Sequence, residues 1–406
     1  MGNRIRYLVP VLAVLASACG ASSESLPFEP AGPQVAPDPG SPGPFPVGVR
    51  TLDLSDPSRI DERTGKPRRL RTEIWYPAEQ KHRKGPFHTY DFSVQAREEE
   101  LGDKLQVVLD TNLPLLESTA VKDANIDRQH GPYPLILFSH GAYGLRQQSI
   151  SYTIHLASHG YVVAAPDHQG NTVWDMIRDG YHPGSVPNSS YLRVQDMKFL
   201  LQVLLQRAED PEDPLYWLLD FKRAGVSGHS FGGWTTVCMP CQDVTFVTGV
   251  ALSPLISLAI GFGCELADYP APLMVMHGDQ DYTLPYRDTY CDYRTMGGAE
   301  LRLVEIRRGG HYTFTDICDM DLDYLAQRLG ISDAEDALHD GCSPTENLNY
   351  HEAHRGIHHY AAAWFNLWLR NSPASRDYLI EKSEPPFDSF RLYADDIPDW
   401  PDGGCD

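Results

Sequence analysis

Basic side chains are scarce in this 406-residue chain: 34 Lys and Arg stand against 55 Asp and Glu, a formal net charge of −21. An acidic surface of that size repels phosphate backbones and anionic lipid, which argues against nucleic acid as a partner. The opening stretch MGNRIRYLVPVLAVLASACG contains an apolar run too brief to span a bilayer. Internal repeats are not evident. Metal-binding patterns are also thin. YHEAHRGIHHYAAAWFNLWLRN sets His354 and His358 four apart on one helix face, a chelating spacing, but lacks the glutamate of H-E-x-x-H between them. Its Trp364, Phe365 and Trp368 are what a closing helix packed on a sheet presents. Acidic runs such as EDPEDP lack the spacing of a calcium loop. Neither a metal nor a cofactor is expected.

What the chain does have begins with a leader. Arg4 and Arg6, the short apolar run and the small residues before Cys19 make an export signal. It resembles a bacterial lipoprotein signal, in which residues 1–18 are removed and Cys19 carries the lipid. Ala16 stands three places before the cysteine, where leucine is usual. That resemblance implies an exported lipoprotein, tied to a membrane through its lipid at the outer membrane, periplasm or cell surface. Residues 19–45 are rich in Pro, Gly and Ser and cannot bury enough to order themselves, so they read as a flexible tether. Seven cysteines follow Cys19, an odd number in a compartment where thiols pair. Cys318 and Cys342 bracket a polar stretch and are the favoured pair. Cys238 and Cys241 form a C-x-x-C without thioredoxin-like context, so a local disulfide or buried thiols are expected there rather than a redox pair.

From residue 46 the pattern is that of a catalytic domain. LRTEIWYP alternates as an opening strand would, whereas PLILFSH, GYVVAAPD, RAGVSG, VTGVALS, PLMVMHG and LRLVEIRRG are short and mostly continuous apolar runs. Continuous runs are how strands buried on both faces read. Helix-like segments lie between several of them, among them YLRVQDMKFLLQVLLQRA and FGGWTTVCM. Alternation of this kind predicts an α/β fold with a mostly parallel, doubly wound sheet whose reactive groups gather at the carboxyl ends of the strands.

GVSGHSFGGW then places Ser230 at a strand's end just before a helix. Gly228 and Gly232 allow strand and helix to cross closely, and the serine is expected in a strained conformation with its hydroxyl exposed. A serine needs a base, and the base an acid. After PLMVMHG come Asp279 and Asp281; Asp281 is favoured as the acid and Asp279 as a loop cap. His311 follows in RRGGHYTFTD and completes the chain order Ser, Asp, His that this architecture uses. The oxyanion of an acyl intermediate needs two backbone donors, one from Phe231 and one from Ala142 or Tyr143 in the loop after LILFSH. His140 is expected to shape that loop.

Together, LDLSDPSRIDERTGKPRRLRTEIWYPA, YPLILFSHG, LASHGYVVAAPDH, GHSFGG and GGHYTFTD resemble, in the same order, the α/β-hydrolase fold family that includes plasma-type platelet-activating-factor acetylhydrolases and dienelactone-hydrolase-like proteins. AYGLRQQSI followed by LASHG is also similar to cutinase-like polyester hydrolases. The resemblance implies an α/β-hydrolase domain over 46–406, with insertions near 88–130 and 316–350 that would form a lid. It implies Ser230 as nucleophile, His311 as base, and Phe231 with Ala142 or Tyr143 as oxyanion donors. The acetylhydrolases carry their acid after the strand that follows the nucleophile's helix, where this chain has Ser253; the acid is therefore expected at Asp281, as in the cutinase-like pattern. The expected activity is cleavage of a carboxylic ester of lipid, polymer or small-molecule type. A peptidase or amidase of the same fold, or a non-catalytic binding protein on that scaffold, are the alternatives.

Overall fold

A computed structural model describes residues 38–180, 182, 186–320, 322–330, 339–380, 387–394, 397–400 and 404–405. Cys19, the leader and most of the expected tether lie outside the described residues. Val47–Ile60 (β1) and Pro67–Pro77 (β2) pair antiparallel, and Ala120–Lys122 (β3) adds to the free side of β1. The continuous apolar runs become Tyr133–Ser139 (β4), Val162–Pro166 (β5), Leu219–His229 (β6), Phe246–Leu252 (β7), Leu273–Gly278 (β8) and Leu301–Ile306 (β9). Phe390–Tyr393 (β10) closes the far edge. The strand order is β10-β9-β8-β7-β6-β4-β5-β2-β1-β3. From β9 to β5 every neighbour pairs in parallel, and the antiparallel contacts are at β9–β10, β5–β2 and β2–β1.

The run-on apolar patterns follow from two cores, one on each face of this sheet. In β4, Ile136 and Phe138 point into one core while Leu135 and Leu137 point into the other; β8 divides Met274 and Met276 from Leu273 and Val275 in the same way. Ile150–Ser158 (α1) and Tyr350–Leu369 (α5) cover the first face. Val186–Glu209 (α2), Phe231–Gln242 (α3) and Tyr286–Arg294 (α4) cover the second. Trp364 and Phe365 of α5 are fully buried against the sheet, as their stripe predicts.

Both sequence insertions have structure of their own. Segment 88–130 supplies β3, and its helix Lys104–Thr111 packs on Leu322–Leu329 of the second insertion. Cys318 and Cys342 are bonded, as expected, and Cys291 pairs with Cys405. The C-x-x-C does not pair with itself. Cys241 reaches out from α3 to Cys264, whereas Cys238 turns into the core as the one free thiol among the described residues, and burial pushes it up to about 12. A thiol that reluctant to ionise is no nucleophile at neutral pH.

Candidate active site

The turn from β6 into α3 is as tight as its glycines suggest. A β-carbon at Gly232 would overlap the Ser139 carbonyl, and one at Gly228 would run into the carbonyls of Gly232 and Ser139. Ser230, between them, is held at φ 58° and ψ −118°, outside the regions that side chains prefer, while its N–H is anchored on the Leu252 carbonyl at 2.9 Å. Gly232→Ala is expected to lose about 3 kcal/mol or more, since the clash is with backbone and not with a side chain that can turn away. Urea unfolding measures this; a midpoint equal to the wild type would contradict the crossing.

Two loops deliver the other groups. A β-carbon at Gly278 would meet the Gly309 carbonyl, so the loops after β8 and β9 touch, and the Gln280 N–H bonds the Gly309 carbonyl at 2.9 Å. This contact sets Asp281 Oδ2 2.8 Å from His311 Nδ1. Asp279 takes the other expected part and caps the Arg308 N–H at 2.6 Å. Burial alone would raise the Asp281 carboxyl, but the charge of His311 and hydrogen bonds from His277 and His311 outweigh it and hold it well below the usual range. Burial would lower His311, yet the facing Asp281 carboxylate leaves it raised above its ordinary value.

Ser230 is partly exposed and lies next to His229, whose ring is 4.7 Å from that of His311. The Ser230 hydroxyl enters no hydrogen bond among the described residues. Catalytic bonds are often long before a substrate is bound. Phe231 begins α3, where its N–H has no partner inside the helix. Ala142 and Tyr143 sit in a turn closed by a 3.1 Å bond from the Gly144 N–H to the Gly141 carbonyl, with Tyr143 at φ 52°. Ser253 stands after β7 at φ 41°, fully buried, and its hydroxyl has no partner among the described residues.

Several polar groups around these residues carry no signal in the sequence pattern. His229 Nε2 bonds the His311 carbonyl at 2.8 Å, its Nδ1 accepts from Gln148 at 3.0 Å, and Gln148 Oε1 accepts the Gly141 N–H at 2.9 Å. One buried chain thus joins the histidine loop to the loop of Ala142. His277 Nε2 lies 3.1 Å from Asp281 Oδ2. Asp340, from the second insertion, accepts the N–H groups of Tyr282 and Thr283 on one oxygen and that of His311 on the other, at 2.8–3.0 Å. A second Ser–His–Asp array also exists: Ser139 Oγ and Asp196 Oδ2 are each 2.9 Å from the ring nitrogens of His168. Its serine is fully buried, and its aspartate is bonded to Arg68 and Arg59. That leaves Ser230 as the reachable hydroxyl of the two. The His354 and His358 rings stack 5.7 Å apart, and among the described residues no group of three His, Cys, Asp or Glu is arranged to hold a metal ion.

Comparison with known proteins follows the same lines. Residues 37–207 match the family described as platelet-activating factor acetylhydrolase, isoform II. A ferulic acid esterase from Streptomyces cinnamoneus superposes with a TM-score of 0.60 at 22% identity, covering 86% of this chain and 96% of that one. This chain has the α/β-hydrolase fold. In sequence it is similar to the platelet-activating factor acetylhydrolase of Bos taurus, 25% identical over 272 residues, which are 58% of this chain and 60% of that protein. The guinea-pig (Cavia porcellus) acetylhydrolase is 25% identical over 49% of this chain and 52% of its own. A probable 1-alkyl-2-acetylglycerophosphocholine esterase of Arthroderma benhamiae is 27% identical over 51% of this chain and 56% of its own. The chain thus spans about half to three-fifths of the length of these curated relatives.

Proposed function

We propose that this protein is a serine hydrolase that cleaves carboxylic esters through an acyl-enzyme. The observation that carries the reading is the 2.8 Å Asp281–His311 bond, formed beside a serine held at φ 58° on the strand-to-helix turn. The relatives named above and the ferulic acid esterase carry the names of ester-cleaving enzymes.

The chemistry follows from the donor and acceptor sites. Asp281 holds the His311 proton on Nδ1, which leaves Nε2 with a lone pair for the Ser230 proton. The serine oxygen attacks the ester carbonyl, whose oxygen becomes an anion beside the Phe231 N–H and the turn of Ala142 and Tyr143. The amino end of α3 adds partial positive charge at that place. His311 then protonates the leaving alkoxide, and a water activated by the same imidazole releases the acid. Export as a lipoprotein anchored at Cys19 is part of the proposal. It rests on the leader sequence, and three disulfides suit an oxidising compartment.

A fluorophosphonate probe tests the central claim. Mass spectrometry of the digested protein should find the adduct on the peptide that contains Ser230, with p-nitrophenyl acetate hydrolysed far faster than a peptide anilide. An adduct on another serine would overturn the assignment, and faster anilide cleavage would favour an amidase.

A further inference from the structure

Arg193 of α2 is fully buried, yet it makes no ion pair among the described residues, and its Nε has no partner there. Asp196, one helical turn away, is taken by Arg68, Arg59 and His168. A buried charge without a counter-charge costs stability, so packing alone does not explain it. Its contacts do. Nη1 donates to the His140 carbonyl and to Ser139 Oγ at 3.1 Å; Nη2 donates to the Gly141 carbonyl at 2.8 Å and to Asn171 Oδ1 at 2.6 Å. The guanidinium also lies 4.4 Å from the centre of the Phe231 ring. Every one of these groups lies at the carboxyl edge of the sheet, at the end of β4 or in the loops after β4 and β5, or belongs to the residue after Ser230.

A peptide unit is planar, so a carbonyl fixed at one end fixes the N–H at the other. The Gly141 carbonyl shares its unit with the Ala142 N–H. The unit before it is used already, because the Gly141 N–H bonds Gln148 Oε1. The Tyr143 N–H belongs to the next unit, whose carbonyl Arg193 does not touch. We infer that Arg193 is a positioning residue of the oxyanion hole: with His140 Nδ1, 2.7 Å from the same Gly141 carbonyl, it clamps the Gly141–Ala142 peptide so that the Ala142 N–H is the second donor, and it braces Phe231, which supplies the first. Hydrogen bonding of a cation to the carbonyl also polarises the unit and strengthens its N–H as a donor. Of the two residues that the sequence leaves open, this selects Ala142.

The inference rests on the serine-hydrolase reading, and Ser230→Ala serves as the control that separates them. Ala142→Pro deletes the donor at a turn position that accepts proline. It should lower kcat for p-nitrophenyl acetate on the order of 10²-fold, with KM within about threefold. Arg193→Met should do the same, while Arg193→Lys, which keeps the charge and can reach one carbonyl, should recover part of the loss. The Arg193 and Ala142 losses should combine to less than their product, because both act on the Ala142 N–H and only the bracing of Phe231 is left to add. A folded Ala142→Pro variant with wild-type kcat would overturn the inference even if the buried arginine variants fail to fold. So would fully multiplicative losses in the double variant. An active Ser230→Ala protein would instead overturn the functional reading beneath it.

Discussion

Ser230→Ala is expected to lower kcat/KM for p-nitrophenyl acetate by a factor on the order of 10⁴–10⁶, with the folded protein otherwise intact. The loss is that large because the hydroxyl is the atom that changes bonding partners, and no geometry around it substitutes for that. Stability should hardly move. The hydroxyl makes no hydrogen bond among the described residues, and alanine inherits the same φ of 58° without added cost or relief. Unfolding free energies from urea titration within about 0.5 kcal/mol of each other, beside a turnover difference of several powers of ten, are the expected pair of results. Residual turnover above about one hundredth of the wild type would place the chemistry on another group. The buried Ser139–His168–Asp196 array is the obvious place to look next, although its depth argues against it. Burial and the nearby Arg193 charge push His168 down to about 4, so it is a weak base, and Ser139 is wholly enclosed.

The parts of this molecule that the sequence makes legible are those with a local signature. Strands β4 to β9 are covered on both faces, so most residues in them are apolar or small, and each apolar run falls on a strand within a few residues. Ser230 is readable because two glycines must flank a crossing with no room for side chains. Asp281 and His311 are readable because the architecture puts loop residues after particular strands in a particular order. The unread parts depend on contacts between distant segments. Arg193 lies in YLRVQDMKFLLQVLLQRA, which as a pattern is only a helix with one apolar side; its role comes from residues outside that helix, and the two carbonyls it holds lie more than fifty positions away. Asp340 sits in a polar insertion without pattern, and only the meeting of the loops after β8 and β9 gives it two neighbours to clamp. His277 hides inside an apolar run, where a histidine reads as an interruption. Strand β10 has four residues, FRLY, too few for any periodicity to show.

The insertions illustrate the same limit in a way that bears on function. As sequence, 316–350 reads as an appendage that would cover the site. In the fold it is also a brace: the Cys318–Cys342 bond closes it, and the Asp340 carboxylate beside that bond spans the Asp281 and His311 loops. A carboxylate that accepts backbone N–H groups from both loops fixes their separation, and hence the length of the Asp281–His311 bond.

Asp281→Asn, the second large effect, tests that bond directly. Asp281 Oδ2 faces N–H donors from His311 and His277, and Oδ1 accepts the Leu284 N–H at 2.7 Å. All three neighbours donate, so the amide of asparagine must turn its NH₂ against at least one of them. Turned towards His311, it drives that proton to Nε2, where the imidazole can no longer accept from Ser230. A fall in kcat of about 10⁴-fold is expected from this wrong tautomer. The pH profile gives an independent check. Activity needs neutral His311, so kcat/KM of the wild type should fall on acidification through a pKa above the ordinary histidine value of about 6.5. Asparagine removes the charge that raises it, and the acid limb of whatever activity remains should move to lower pH. The Asp281 contribution to stability also falls on acidification, but in a lower pH range. The depressed Asp281 carboxyl stabilises the wild type above the ordinary carboxyl pKa of about 4, and that contribution fades as pH falls further; the variant lacks it at every pH. A variant with turnover within tenfold of the wild type and an unmoved acid limb would mean that Asp281 does not govern the His311 proton.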